Sequence, residues 1–259
     1  MYSGGVGSWG AARRVADEQG TKDLVLLFSD TLIEDEDLYR FLYESAAHIG
    51  GTLVHLKEGR TPWEVFHDAR FLGNNRVPLC SRVLKQEPAA KWLKENDPNE
   101  QATIVVGIDW TEEHRLPAVV RNYAPRPVRA PLCEEPLIDK ADLIAELEAI
   151  GIDPPRMYAE GFPHNNCAGF CVRAGQRHFQ HLLEKRPGVY AEAESEEQKI
   201  RQYLGKDIAI LRDRRGGTSR PLTLREFRSG LQSGDKSDGD WGGCGCFVED
   251  EATTSGVHG

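Results

Sequence analysis

Ser3-Gly4-Gly5-Val6-Gly7-Ser8 opens a helical pattern that runs from Trp9 to Glu18, and the apolar run Leu24-Val25-Leu26-Leu27-Phe28 follows. Closely spaced glycines let backbone N–H groups turn inward, and a helix start adds partial positive charge, so the stretch suits a pyrophosphate. Ser3 and Ser8 add hydroxyl donors. A lone glycine cluster also reads as a flexible N-terminus. The apolar run reads as a strand buried on both faces.

Outward from there the alternation continues. Leu38, Phe41, Leu42 and Ala46 fall at helical spacing, and Thr52-Leu53-Val54-His55-Leu56 reads as a second strand. Residues 62–72 and 81–96 read as helices, and Thr103-Ile104-Val105-Val106-Gly107 as a third strand. This order predicts the α/β class, a parallel sheet with helices on both faces. The second half is less regular: Pro125, Pro127, Pro131 and Pro136 punctuate an extended stretch, and residues 139–150 form an amphipathic helix closed by Gly151. Residues 168–185, 193–204 and 222–231 are further helix candidates, and 207–211 a short strand. The expected division is a nucleotide-binding core over 1–135, a helical, cysteine-bearing lobe over 136–231, and a flexible tail over 232–259 carrying Cys244-Gly245-Cys246.

Of 259 residues, 32 are Lys or Arg and 41 Asp or Glu, a net charge of −9, with 39% hydrophobic and 28% charged. That is enough apolar matter for a core and excludes wholesale disorder. The negative balance disfavours a general nucleic-acid coat. It leaves nucleic acid open as an acceptor through a local patch such as Arg212-Asp213-Arg214-Arg215 with Arg220, a run that also reads as a solvated turn. No apolar run approaches the ~18 residues of a membrane span, and no signal peptide is read. A cytoplasmic location is expected, with six cysteines serving as thiols or metal ligands rather than disulfides.

The densest chemical signal beyond the loop is the stretch from Tyr158 to Gly175, with His164, Cys167 and Cys171. Cysteines four apart share one face if the segment is helical. Small neighbours, Ala168 and Gly169, leave room for a bulky ligand, and the glycine of Cys244-Gly245-Cys246 permits a tight chelating turn. Two close pairs far apart in sequence are how four-thiolate sites are often assembled. Cys167, Cys171, Cys244 and Cys246 are therefore expected metal ligands, with Cys80, Cys133 and His164 as alternatives. All-sulfur ligation fits zinc or an iron–sulfur cluster of the 4Fe-4S type. The plainer readings are buried cysteines as small hydrophobes and His164 as a loop hydrogen-bonder.

Several segments, taken in order, resemble one family. The SGG-x-x-S pattern at a helix start is similar to the PP-loop of the ATP pyrophosphatase (adenine nucleotide alpha-hydrolase-like) superfamily, most nearly its phosphoadenylylsulfate (PAPS) reductase branch. Phe28-Ser29-Asp30-Thr31 with Glu34 resembles its "DT…E" element. Cys80-Ser81-Arg82-Val83-Leu84-Lys85-Gln86-Glu87-Pro88 resembles its Cys/Lys/Pro segment. Gly107-Ile108-Asp109 with Glu113 and Arg115 resembles its "G-x-R…E…R" element. The similarity covers residues 1–230.

The resemblance implies an adenine nucleotide at the carboxyl ends of parallel strands, where open α/β sheets bind ligands. Ser3, Gly4, Gly5, Gly7 and Ser8 would hold phosphates, Asp30 and Thr31 would sit near the same crevice, and Arg82, Lys85 and Arg115 would be counter-charges.

Four departures stand out. Gly7 replaces the usual Asp. Only Met1 and Tyr2 precede the loop, so the first strand is either very short or extended upstream. Gly243-Cys244-Gly245-Cys246-Phe247 keeps the Cys-Gly of the reductase tail without its Glu or His. A single Cys80 and a C-x3-C spacing replace the adjacent Cys pair and C-x-x-C of cluster-bearing reductases.

Three functions follow as expectations. The first is ATP-dependent adenylation with Mg²⁺, coupled to sulfur transfer from a cysteine persulfide or a cluster, with a sulfur-donor protein as partner. The second is PAPS-type reduction, with Cys244 or Cys246 as catalytic nucleophile and a thioredoxin or glutaredoxin as thiol partner. The third is a nucleotide- or metal-binding module without turnover, suggested by Gly7. None of the three involves a membrane.

Overall fold

The computed structural model describes residues 1–74 and 76–243. Helix α1 (Val6–Gln19) rises directly from the glycine loop and buries Val6, Trp9, Ala12 and Val15. Strand β1 (Val25–Asp30) is buried at all but its first residue, as its unbroken apolar run requires. It pairs in parallel with β2 (Thr52–Lys57), in register from Val25 opposite Thr52 to Asp30 opposite Lys57. The crossover is α2 (Glu36–Ile49), capped by the Asp35 carboxylate on the Asp37 N–H and closed by Gly50 at φ 81°.

Helix α3 (Pro62–Asp68) starts on a Thr61/Glu64 capping box with proline at its first position. It stops four residues short of the expected end, because Arg70 takes a left-handed conformation at φ 51°. A continuous helical run follows: α4 (Leu79–Ser81), a π-helical turn over Arg82–Gln86, and α5 (Glu87–Asn96). Pro88 accounts for the widened turn, since it has no N–H to donate and its ring crowds the carbonyl four residues back.

The expected single parallel sheet does not form as one ladder. Strand β3 (Ile104–Val105) is only two residues long and pairs in parallel with β4 (Val128–Arg129). Among the described residues the ladders are these two parallel pairs and an antiparallel one, β5 (Leu211–Asp213) with β6 (Arg220–Leu222). Met1 and Tyr2 join the two parallel halves. The Tyr2 N–H donates to the Leu27 carbonyl (2.8 Å), and the Met1 amino group donates to the Val105 carbonyl (2.7 Å).

The remaining helices are α6 (Leu116–Tyr123), α7 (Lys140–Ala149), α8 (Arg156–Ala159), α9 (Gln176–Lys185), α10 (Pro187–Leu204) and α11 (Leu224–Gln232). No helix among the described residues is long and apolar enough to cross a membrane. One hydrophobic cluster packs α1, α2 and α7 against β1; a second joins α5 and α6 to β3. The third runs from Val65, Phe66 and Leu84 through Phe170 and Phe179 to Tyr190 and Phe227. This cluster joins residues of the cysteine-bearing second half to α3 and to the π-helical turn.

Glu197 of α10 is buried inside this third region. Its carboxylate accepts the N–H groups of Ile210 (2.9 Å) and Leu224 (2.7 Å), tying three elements together. Burial raises its pKa from 4.5 to about 7 against those two hydrogen bonds. Between these values the folded protein keeps a proton that the unfolded chain releases, so stability falls as pH rises. Glu197→Gln removes this titration while losing one acceptor. Its unfolding free energy should start lower, and wild type should lose stability relative to it between pH 4.5 and 7. Denaturant titrations at several pH values measure this; parallel curves for the two proteins would contradict it.

A tight backbone approach lies between α1 and the strand end after β3. A Cβ on Gly107 would stand 2.6 Å from the Ser8 nitrogen, and one on Gly7 2.8 Å from the Gly107 oxygen. Gly107→Ala should cost about 2 kcal/mol, the usual scale of overpacking against atoms that cannot step aside. Chemical denaturation checks it.

Candidate functional site

The glycine loop is held by its own residues and two from the second half. Ser8 Oγ donates to the Gly5 carbonyl (2.8 Å) and accepts from the N–H groups of Ser3 (3.2 Å) and Gly5 (3.3 Å). Gly4 turns at φ 73°, and its carbonyl accepts from the buried Asn165 amide at 2.9 Å. The Tyr158 hydroxyl accepts from the Val6 N–H at 3.3 Å. The next N–H groups of this first turn have no intrahelical acceptor and carry the positive end of the helix dipole.

Those groups face a cavity of about 450 Å³. Ser3, Gly5, Gly7 and Ser8 form one wall, and residues 106–109 after β3 form another. Lys85, Arg115 and Lys140 bring three cations to it, and Asp109 and Glu112 two carboxylates. Residues 163–166 and Trp241-Gly242-Gly243 close the far side. The last segment is positioned by a bridge from Gly242 to Ala174 and by the Gly175 N–H on the Trp241 carbonyl (3.0 Å). Arg115 pairs with Glu112 at 2.6 Å, and Lys140 Nζ donates to the Pro163 carbonyl at 3.1 Å.

Of the residues singled out in the sequence, Ser3, Gly5, Gly7, Ser8, Lys85, Arg115 and His164 border this one cavity. Gly4 contributes its turn. Arg82 does not join them: it is exposed and faces Glu87 at 3.7 Å. Asp30 is buried and committed elsewhere, accepting from the Leu32 N–H (2.8 Å), the Tyr39 hydroxyl (2.7 Å) and His55 Nε2 (2.8 Å). Burial alone would raise its pKa, but these hydrogen bonds hold the carboxyl below its usual range. Lys140, Tyr158 and Asn165 were missed. Their roles come from contacts across more than a hundred residues of chain or from a helix start, and no spacing signals either.

Thr31 lies on a second, narrow cavity of about 20 Å³, and Cys80, Cys167, Cys171 and Lys85 lie on it too. Lys85 is therefore a wall of both cavities, its Nζ 3.5 Å from Glu34 in a buried ion pair. Glu34 also accepts the Cys167 N–H and the Thr31 hydroxyl (2.9 Å).

The two cysteines do not share a helix face as expected. Cys167 (φ 51°), Ala168 (φ 50°) and Gly169 (φ 93°) form a left-handed turn, and α9 begins only at Gln176. Cys133 is remote from them, its thiol donating to the Ile108 carbonyl at 3.4 Å, and burial together with nearby carboxylates raises its pKa.

His164 is kept neutral: burial, then the neighbouring His178 ring stacked at 5.4 Å, lower its pKa to about 3. Among the described residues no three His, Cys, Asp or Glu side chains are set to hold a metal ion, and of the four expected cysteine ligands only Cys167 and Cys171 lie among them. Cys244 and Cys246 lie outside the described residues.

The basic run is largely neutralised by its own surroundings. Arg215 (3.0 Å) and Arg220 (2.8 Å) both pair with Asp213, whose carboxyl they hold far below its usual range, and Arg214 faces Asp240 at 3.9 Å. The run is thus less of a nucleic-acid patch than its sequence suggests.

No family model and no curated protein matches the chain. Among solved structures it is similar to the phosphate complex of phosphoadenylyl-sulfate (PAPS) reductase from Candida auris, at 19% identity and a TM-score of 0.44, over 62% of this chain and 77% of that one.

Proposed function

We propose that this chain is an adenine-nucleotide enzyme of the sulfonucleotide-reductase kind, acting on PAPS or a close relative. The observation that carries the reading is the shared wall. Gly242 and Gly243, immediately before Cys244-Gly245-Cys246 in sequence, border the same cavity as the glycine loop and its three cations.

In this reading the first turn of α1 and Lys140 take the nucleotide phosphates, and Arg115 and Lys85 face the sulfonate oxygens. Mg²⁺, where a nucleotide brings it, would be held by Asp109 and Glu112, hard oxygen ligands completed by phosphate and water.

The Cys244 thiolate attacks the sulfonate sulfur and forms an S–S bond. The sulfur–oxygen bond to the nucleotide phosphate breaks, and its electron pair leaves on that phosphate. A thiolate of a thioredoxin-type partner then attacks Cys244 Sγ, making a disulfide and releasing sulfite. Two thiols are oxidised and one sulfonate sulfur is reduced. The cations favour the thiolate and the developing negative charge, tasks that the missing tail histidine would otherwise share.

One observation favours a second reading, ATP-dependent adenylation followed by sulfur transfer. Cys80, Cys167 and Cys171 border a cavity that adjoins the nucleotide cavity through Lys85. The non-catalytic reading rested on Gly7, but a side chain there would meet the Gly107 carbonyl at 2.8 Å, so glycine is a packing requirement.

The test gives reduced full-length protein either PAPS with a thioredoxin-type reductant or ATP with candidate acceptors, and measures sulfite and pyrophosphate. Sulfite from PAPS is expected, with at least a hundredfold loss in Cys244→Ser. Arg115→Gln should raise KM about tenfold, the scale of one charge-assisted hydrogen bond. Pyrophosphate without sulfite would replace the proposal with adenylation; neither product would leave a binding module.

A further inference from the structure

A third cavity, of about 320 Å³, shares no residue with the nucleotide cavity. It opens between the turn after α3 and the turn that joins α10 to β5. Arg70, Arg76, Lys206 and Arg212 line it, with no Asp or Glu. Among the described residues none of these four makes an ion pair, in a chain whose net charge is −9 and whose other arginines mostly do.

Their placement is not that of free surface side chains. Arg70 projects from a left-handed residue, φ 51°, and its guanidinium lies 5.2 Å over the Tyr203 ring. Arg212 is anchored on Ser219, through the hydroxyl (3.1 Å) and the carbonyl (2.9 Å). It alone of the basic run escapes the carboxylates that neutralise its neighbours. Like charges held together without a counter-ion repel, so this arrangement is relieved when an anion enters. The wall between the cations is apolar, with Phe71, Leu204 and Ile208, and Phe71 is 37% exposed. A bare inorganic anion would leave that wall wet. The volume is that of a small-molecule site.

We infer that this cavity binds a phosphomonoester with an apolar or aromatic body, its phosphate among Arg70, Arg76, Lys206 and Arg212 and its body on Phe71. The site is independent of the nucleotide reading, because it stands on different residues.

Phenyl phosphate tests it, titrated into the full chain by calorimetry at low salt, with inorganic phosphate as a second arm. The doubly substituted Arg76→Gln/Lys206→Gln protein should bind phenyl phosphate at least tenfold more weakly, as loss of two charged hydrogen bonds implies. Phe71→Ser should weaken phenyl phosphate several-fold and leave inorganic phosphate unchanged. Arg115→Gln, which weakens anion binding at the nucleotide cavity, should leave these effects of the double substitution and of Phe71→Ser intact.

Three results would overturn the inference: no binding by wild type at about 10 mM, a Kd corresponding to under 3 kcal/mol; binding that responds to Arg115→Gln but not to the double substitution; or inorganic phosphate binding as tightly as phenyl phosphate. Phe71, Arg76 and Lys206 are exposed and Arg115 is half-buried, and unchanged thermal unfolding confirms that the comparison is between folded proteins.

Discussion

The structure depends first on how closely the opening turn of α1 lies on the chain that leaves β3. At Gly7 and Gly107 two backbones meet with no room for a Cβ on either side. That approach sets Ser3, Gly5 and Ser8 against residues 106–109 and makes a walled cavity from what would otherwise be a loose loop. It also explains why position 7 is glycine: the carbonyl of Gly107 occupies the space a side chain would need. A change at either glycine moves the helix start, and hence every N–H group facing the cavity.

The second constraint is continuity across a divided sheet. A two-strand parallel pair is a small unit, and each of these leaves an edge of unpaired backbone. Met1 and Tyr2 reach both edges, one hydrogen bond to each, and Tyr2 seals the join from below with its hydroxyl on Ser45 (2.6 Å). Helices α1, α2 and α7 then bury the junction under one apolar cluster. Packing rather than a long ladder holds this sheet together.

How much could be read in advance follows from the range of the interactions. Local patterns were legible: the unbroken apolar run of β1, the periodic face of α2, and the glycine loop with its serines. The short reach of β3 was not, because Thr103 to Gly107 is apolar enough for a longer strand and only tertiary pairing limits it. The segment from Cys167 to Gly169 misled for another reason. A spacing of four suggests a helix, whereas the Cys167 N–H is captured by Glu34 and the Gly169 carbonyl by His178 (2.7 Å), which favours a left-handed turn. Lys140, Tyr158 and Asn165 reach the cavity through folding alone, so a pattern of neighbours could not point to them. Cys244 and Cys246 remain readings of the sequence.

Lys85 makes the two neighbouring cavities one electrostatic system. Its ammonium is a single positive charge with a carboxylate, Glu34, already beside it, and Glu34 in turn holds the turn that carries Cys167. An anion arriving on the glycine-loop side competes for that charge and loosens its hold on Glu34. By reciprocity, any chemistry that alters charge among the thiols changes the affinity for the anion by the same factor. A charge placed in the larger cavity would thus be felt at the Cys167 turn without a moving domain.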